Sequence, residues 1–281
     1  MNYKEAYEYG VAHLTEAEIA EANLDARLLL EFVCGTNRND LYVHGDREME
    51  HDEFERYLLL IKERQKHVPL QHLTGEQDFM GLTFKVNEHV LIPRQDTEVL
   101  VEEVLLHLHD GMRILDMCTG SGCILLSLLR YSNDCEGVGA DVSEDALAVA
   151  NRNREQLGID AKFIKSNLFE NVEGKFDIIV SNPPYIESKV VETLMEEVKD
   201  YEPHLALDGG ADGLDFYREI TTEAKKYLCR GGMLFFEIGY NQAQAVSSLL
   251  KEAGYVEVEV KKDLAGLDRV VCGVFVEERH V

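Results

Sequence analysis

The sequence predicts an α/β protein in which a small helical domain precedes a seven-stranded, mainly parallel sheet with one antiparallel strand. Residues 1–75 show the spacing of amphipathic helices, whereas strand and helix patterns alternate after Gly111. The last two predicted strands are joined by residues 261–269, a connection too short for a crossover helix. A chain of 281 residues, 45% of them hydrophobic, is long enough to form both cores.

Residues 1–75 are predicted to form the helical bundle. Apolar residues recur there at helical spacing in two sets, one before Gly35 and one between a predicted N-cap at Asp52 and a stop at Pro69. These sets are Leu24, Leu28, Leu29, Phe32 and Val33, and then Phe54, Tyr57, Leu58 and Ile61. They indicate two helices whose apolar faces meet.

Residues 76–92 are predicted to form a β-hairpin linker. Alternating apolar residues flank the turn-prone Gly81 and Asn87-Glu88 in this stretch. From Pro93 the spacing of Val99, Leu100, Val104 and Leu108 predicts a further helix.

Residues 93–281 are predicted to form the second domain, a doubly wound sheet. Its strands are predicted at 113–117, 137–141, 162–165, 177–181, 233–238, 256–260 and 270–276, and its later helices at 143–157, 214–228 and 242–253. The final two strands are expected to pair antiparallel, which accounts for the single reversed strand.

Composition narrows the possible partners. The chain has 28 Lys and Arg against 53 Asp and Glu, so its net charge of −25 repels a polyanion and disfavours nucleic acid as substrate. No apolar run approaches the length of a membrane span, and charged Lys4, Glu5 and Glu8 stand where a signal peptide would be apolar. The six cysteines form no C-x-x-C pair, so we expect reduced thiols, no metal site and a cytoplasmic location.

The first candidate site is a glycine loop that follows the strand at 113–117. Cys118, Thr119, Gly120, Ser121 and Gly122 form a turn whose glycines let a ligand approach the backbone and whose end opens a helix. Asp141 ends the next strand, where a carboxylate accepts hydrogen bonds from ribose hydroxyls.

Glycine loops of this kind bind different nucleoside ligands, and two of the three common types do not fit this sequence. A dinucleotide fingerprint needs a small residue where the chain has Leu125, and a P-loop needs a Gly-Lys-Ser/Thr run that is missing here. S-adenosylmethionine fits better because it carries a ribose and an adenine without phosphate. Asn167 is then expected to bond the adenine edge, with Leu168 or Phe169 packed on its face.

The second candidate site is Asn182-Pro183-Pro184-Tyr185, at the carboxyl end of the fourth strand of the sheet. The prolines remove two donors and leave carbonyl oxygens beside the Asn182 side-chain oxygen. Such acceptors hold an NH₂ group and stabilise positive charge as its nitrogen is methylated, while Tyr185 covers the planar group. We therefore interpret Asn182, Pro183 and Tyr185 as catalytic, and all four residues as the substrate-binding loop.

Two other features are weaker candidates for a functional role. Glu237 ends an apolar strand beside Gly239, with structural and functional roles equally open. The acidic stretch 192–202 is expected to be a solvated face.

These motifs resemble the PrmC/HemK protein-(glutamine-N5) methyltransferases, which modify class 1 peptide-chain release factors. The resemblance covers nearly the whole chain and includes the motifs Pro93–Glu98, the glycine loop, Asp141, Asn182–Tyr185, Glu202-Pro203, Ala206-Leu207, Gly209-Gly210 and Asp212–Asp215. It implies a class I S-adenosylmethionine-dependent methyltransferase fold, with S-adenosylmethionine as donor and S-adenosylhomocysteine as product.

The same resemblance implies the acceptor, the glutamine of a Gly-Gly-Gln loop in the release factor. Asn182 and the Pro183 carbonyl would hold its amide, and the helical domain of a monomeric enzyme would help to recognise the factor. The chain departs from the family pattern at Cys118, where glycine is usual, and at Asn167, where aspartate is frequent. We expect Cys118 to take a backbone conformation open to L-residues.

Three alternative functions remain at this point. A related enzyme class methylates a glutamine of a ribosomal protein, and the site residues do not separate the two. An N6-adenine DNA methyltransferase uses the same loop on a flipped base, but the acidic charge opposes it. A regulatory adenosyl-binding module would have no use for the substrate-binding loop Asn182–Tyr185, called the acceptor loop below.

Overall fold

The structure is a computed structural model that describes residues 1–276 and divides into two compact units. The first unit comprises Met1–Glu76 together with Met195–Tyr201, and the second comprises Gln77–Leu194 and the chain from Glu202 onward. Residues 277–281, the end of the domain predicted over 93–281, lie outside the described residues.

The named elements up to residue 74 are all helices, and both strands and helices follow from residue 76 onward. In chain order the elements are α1 (Tyr3–Glu16), α2 (Ala22–Cys34), α3 (Arg38–Val43), α4 (His51–Arg64), α5 (Leu70–Thr74), β1 (Glu76–Phe79), β2 (Leu82–Lys85), α6 (Gln95–His107), β3 (Arg113–Met117), α7 (Cys123–Arg130), β4 (Glu136–Asp141), α8 (Glu144–Leu157), β5 (Lys162–Lys165), β6 (Phe176–Ser181), α9 (Ser188–Val191), α10 (Glu196–Lys199), α11 (Asp215–Ala224), β7 (Leu228–Glu237), α12 (Ala243–Glu252), β8 (Val256–Lys262) and β9 (Asp268–Val274).

The first unit is held together by close packing of α1, α2 and α4. Gly10 of α1 lies so near α4 that a Cβ there would stand 2.0 Å from the Tyr57 hydroxyl. The same hydroxyl donates to the Ala26 carbonyl of α2 at 3.2 Å. Small residues at the crossings therefore let the helices approach and bury Tyr57 completely.

Two details of the predicted bundle are wrong. Helix α2 buries Ala26, Leu29, Leu30 and Val33, whereas Leu24 is 39% exposed, because the pattern followed the large apolar residues and overlooked the small ones. Helix α4 begins after Glu50 and not after Asp52, since Glu50 forms a capping box with Glu53.

Strands β1 and β2 form the predicted two-stranded sheet, joined by Met80 and Gly81. Both turn residues have positive φ, 51° and 69°, as a type I′ hairpin turn requires. The second strand ends at Lys85, and residues 86–94 form neither helix nor strand.

The second unit contains the predicted seven-stranded sheet, with strand order β5-β4-β3-β6-β7-β9-β8. Strand β9 runs antiparallel to both of its neighbours, and the other pairings are parallel, which confirms the single reversed strand. The chain moves outward from β3 to β4 and β5 on one side and returns to β6 on the other. The strand order thus reverses between β3 and β6, where a crevice opens in sheets of this type.

Helices cover both faces of this sheet. Leu100, Val101 and Val104 of α6 pack with α7 in one apolar cluster, and Tyr217 and Ile220 of α11 pack with α12 in the other. Helix α11 ends at Ala224, earlier than predicted, because Leu228 already pairs with Phe176 as the first residue of β7. None of the helices within residues 1–276 has the length and apolar character that crossing a bilayer requires.

The first unit also contains a buried ion pair between α2 and α4. Arg64 donates from Nε to Asp25 at 2.7 Å and from Nη2 to Glu197 at 2.6 Å, and both Arg64 and Asp25 are about 5% exposed. Burial raises the pKa of Asp25, although Arg64 opposes that effect. Removing the carboxylate would leave a buried guanidinium with one partner fewer.

We expect Asp25→Ala to lower the free energy of unfolding by about 3 to 5 kcal/mol, as measured by urea denaturation of the whole chain. The control is Glu8→Ala, which removes the exposed Lys4–Glu8 pair at 3.9 Å and should change stability by less than about 1 kcal/mol. Equal effects of the two variants would contradict this assignment.

Candidate active site

A pocket in the second unit lies at the carboxyl ends of β3, β4, β5 and β6, where the strand order reverses. It is lined by most of the residues predicted from the sequence: Cys118, Thr119, Gly120, Ser121, Asp141, Asn167, Leu168, Asn182 and Pro184. Gly122, Pro183 and Tyr185 do not line it, although each is next in the chain to a residue that does. Four separate loops therefore meet around one cavity.

The glycine loop connects β3 to α7 through a tight left-handed turn. Gly120 and Gly122 have φ values of 53° and 78°, and a Cβ on Gly122 would approach Phe163 to 2.9 Å. Below the loop, the Thr119 hydroxyl donates to the buried Asp116 carboxylate at 2.6 Å. Glycine is needed here for conformation at both positions and for space at the second.

Cys118 does not take the conformation expected of it. Its φ is 62°, in the left-handed region that an L-residue occupies at a cost, which explains why glycine is usual at this position. Burial, followed by the charge of Asp141, raises the pKa of the Cys118 thiol. The side chain is therefore a neutral thiol on the pocket wall.

Asp141 closes the glycine loop from β4. One carboxylate oxygen accepts the Gly120 N–H at 2.9 Å, and the other accepts the Ser143 N–H at the start of α8, also at 2.9 Å. Burial raises the pKa of Asp141, whereas these two backbone donors lower it. Each oxygen keeps a second lone pair, so the carboxylate can still accept two hydroxyl donors from a ligand.

The loop after β5 contributes Asn167 and Leu168. The Asn167 Nδ2 donates to Glu170 at 3.1 Å, which leaves its amide oxygen as the group able to accept from a ligand. Leu168 lies in the left-handed region with φ 46°, and the Ser166 hydroxyl donates to its carbonyl at 2.6 Å. Phe169, the alternative packing residue, instead lies in the core, stacked on Tyr227 at 4.8 Å.

The loop Asn182–Tyr185 follows β6 directly, so its position is fixed by the sheet. Within residues 1–276 no backbone N–H donates to the Pro183 carbonyl. Burial raises the pKa of the Tyr185 phenol, which therefore stays neutral. The loop thus presents an amide side chain and a backbone carbonyl without a backbone donor.

Close packing against a second chain segment supports this loop. A Cβ on Gly209 would stand 2.7 Å from the Pro184 carbonyl, and one on Gly213 would stand 2.4 Å from that of Tyr185. Gln242 then donates from one amide nitrogen to the carbonyls of Tyr185 and Gly213, at 3.0 and 3.2 Å. Gly209 and Gly213 are therefore required, because a side chain at either position would collide with the backbone of the acceptor loop.

Sequence reasoning missed several residues of this site. Gln242, Thr97 and Arg94 had no local pattern that distinguished them, and Glu202 was assigned to a solvated acidic face. That assignment is wrong for Glu202, which is buried and accepts from Arg94 Nη2 at 2.6 Å. For Arg94, Thr97 and Glu202 the available signal was their occurrence within the motif runs, and Gln242 had no such signal.

Two buried carboxyl groups border the site. Burial raises the pKa of Asp116 to about 7, although the hydrogen bond from Thr119 lowers it. Burial also raises the pKa of Glu237 to about 7, although Thr97 and Arg269 lower it. Because both folded pKa values lie above the ordinary ones, the stability that these groups contribute is present in acid and is lost as the pH rises to about 7. Within the described chain no group of three His, Cys, Asp or Glu side chains is arranged to hold a metal.

Both parts of the chain match known protein families. Residues 5–75 match the PrmC N-terminal domain, and residues 95–211 match the methyltransferase small domain. A methyltransferase from Pyrococcus furiosus shares the fold with a TM-score of 0.54 at 19% identity, covering 81% of this chain and 100% of the other.

Closer relatives are found among curated sequences. The release factor glutamine methyltransferase of Clostridium acetobutylicum is 44% identical over 257 residues, which are 89% of this chain and 90% of that protein. That of Geobacter sulfurreducens is 42% identical and covers 93% and 92% of the two chains. These matches confirm the resemblance found in the sequence, and the chain belongs to the family of release factor glutamine methyltransferases.

Proposed function

We propose that this chain transfers a methyl group from S-adenosylmethionine to the side-chain amide nitrogen of the glutamine in the Gly-Gly-Gln loop of class 1 peptide-chain release factors. The observation that carries the proposal is that Asn182 and Pro184 line the glycine-loop pocket, while the Pro183 carbonyl between them accepts no backbone N–H within residues 1–276. Membership of the family supports the choice of acceptor. We also propose that the enzyme is monomeric and acts in the cytoplasm.

The pocket fits the nucleoside part of the donor. Gly120 leaves its Cβ position open, Asp141 retains lone pairs for the two ribose hydroxyls, and Leu168 offers an apolar surface for the adenine. When bound there, S-adenosylmethionine supplies an activated methyl group on a sulfonium, which is a good leaving group.

The acceptor loop binds the methyl acceptor, the glutamine side chain. The Asn182 oxygen and the Pro183 carbonyl accept the two N–H bonds of the glutamine amide and so hold its nitrogen toward the methyl group. These acceptors also stabilise the positive charge that develops on that nitrogen. The neutral Tyr185 does not line the pocket, so we assign its ring no contact with the amide. The proton leaves to water after transfer, so no residue has to act as a base beforehand.

We expect Asp141→Ala to raise the Kd for S-adenosylmethionine roughly 10- to 100-fold in calorimetry, since a charged hydrogen-bond acceptor is lost. The matched control is Glu144→Gln at the exposed start of α8. Glu144 pairs with Lys165 on the surface, and its replacement should leave the Kd unchanged. A change of less than about twofold in Asp141→Ala would remove this residue from the cofactor site.

We expect Asn182→Ala to lower kcat on a folded release factor roughly 100- to 1000-fold, because one preorganised acceptor is removed from the developing charge. The Kd for S-adenosylmethionine should change far less than kcat. The control is Asn133→Ala, an exposed asparagine just before β4. A near wild-type rate in Asn182→Ala would refute the amide-holding mechanism.

The protein partner is tested by substrate size. We expect the folded factor to exceed a short Gly-Gly-Gln peptide by more than about tenfold in kcat/KM, because remote binding energy positions the amide. Assays on a release factor, a ribosomal protein and double-stranded DNA run side by side. Equal efficiency on peptide and factor, or a preference for either other substrate, would contradict the proposal.

A further inference from the structure

The segment Pro93–Glu98, one of the motifs that carry the family resemblance, makes side-chain contacts along most of its length. Arg94 pairs with Glu202 at 2.6 Å, and Asp96 pairs with Arg269 at 2.9 Å. Glu98 accepts the Met80 N–H at 2.6 Å. These three contacts hold the first turn of α6 in place. Of the two other polar side chains of the segment, Gln95 is exposed and Thr97 lines the pocket.

Thr97 lies between the acceptor loop and a buried carboxylate. Its hydroxyl oxygen accepts from the Asn182 Nδ2 at 3.4 Å. Burial raises the pKa of Glu237, and the hydroxyl groups of Thr97 and Tyr185 lower it, as donors directed at that carboxylate do. Thr97 and Glu237 are each 2% exposed, so water does not replace either contact readily. Asn182, Thr97 and Glu237 therefore form a short chain of polar groups that leads from the half-buried Asn182 to the buried Thr97 and Glu237.

This chain has a fixed direction when Glu237 is ionised. A carboxylate only accepts hydrogen bonds, so the Thr97 hydroxyl must donate to it. The Thr97 oxygen is then available only as an acceptor, and Asn182 must turn its NH₂ group toward it. The Asn182 oxygen is consequently the end of the amide left for the substrate.

We propose that Thr97 is a positioning residue that, supported by Glu237, sets which end of the Asn182 amide faces the pocket. The inference rests on the proposed function, since it concerns how the acceptor for the glutamine amide is oriented. An asparagine amide keeps nearly the same shape when it is turned by 180°. In the turned orientation an N–H would face the N–H groups of the substrate, and the acceptor would be lost.

The central test compares Thr97→Val, which keeps the shape and removes the hydroxyl, with Thr97→Ser, which keeps the hydroxyl. Without the hydroxyl the Asn182 NH₂ is unpaired at its buried side, and turning it toward the pocket becomes favourable. We expect kcat on the folded release factor to fall roughly 5- to 100-fold in Thr97→Val. Thr97→Ser should stay within about threefold of wild type, and both variants should bind S-adenosylmethionine normally.

A double-mutant cycle separates positioning from a general structural role. If Thr97 acts through Asn182, Thr97→Val should have less than about a twofold effect on kcat in the Asn182→Ala background. Losses that multiply in the double variant would overturn the inference. A wild-type rate in Thr97→Val, or a loss in Thr97→Ser as large as in Thr97→Val, would do the same.

A measurement without substrate distinguishes failure of this inference from failure of the proposed function. The Asn182 side-chain NH₂ signal can be identified in ¹⁵N spectra by its absence in Asn182→Ala. We expect the NH₂ protons of Asn182 to be protected from hydrogen exchange in wild type and in Thr97→Ser. In Thr97→Val this protection should be lost. Equal protection in all three would overturn the inference, whereas an inactive wild type with the expected pattern would overturn only the proposed acceptor.

Discussion

The pairing of Met117 with Ser181, the last residues of two neighbouring parallel strands, determines where everything else in the site can lie. These residues are in register between β3 and β6, and the Ser181 hydroxyl also donates to the Met117 carbonyl at 2.7 Å. The glycine loop begins one residue after Met117, and the acceptor loop begins one residue after Ser181. A shift of one strand against the other would separate the donor side of the site from the acceptor side.

Sequence reasoning performed well where the pattern is local. The ends of β3 and β5 agree with the prediction, and Asp141 lies beside the glycine loop because β4 is the adjacent strand. It failed where a contact joins distant segments. Thr97 and Asn182 are 85 residues apart, and Gln242 and Tyr185 are 57 apart, so no window of sequence contains both partners.

Backbone strain at the pocket is a second feature that the sequence did not reveal. Cys118 and Leu168 are both in the left-handed region although neither is glycine, and both line the cavity. Each such residue costs about 1 to 2 kcal/mol, so neighbouring contacts must hold it in place. The Ser166 hydroxyl bonded to the Leu168 carbonyl is one such contact.

The two halves of the site also differ in how far along the chain their contacts reach, and this difference bears on the order of folding. The contact between Gly120 and Asp141 spans 21 residues within one strand-helix-strand unit, so it closes a short loop. Gln242 joins segments 29 and 57 residues away, and it reaches them only after β7 has entered the sheet. During synthesis from the amino terminus, the segments that close the glycine loop against Asp141 are therefore made early, and Gln242, which supports the acceptor loop, is made much later.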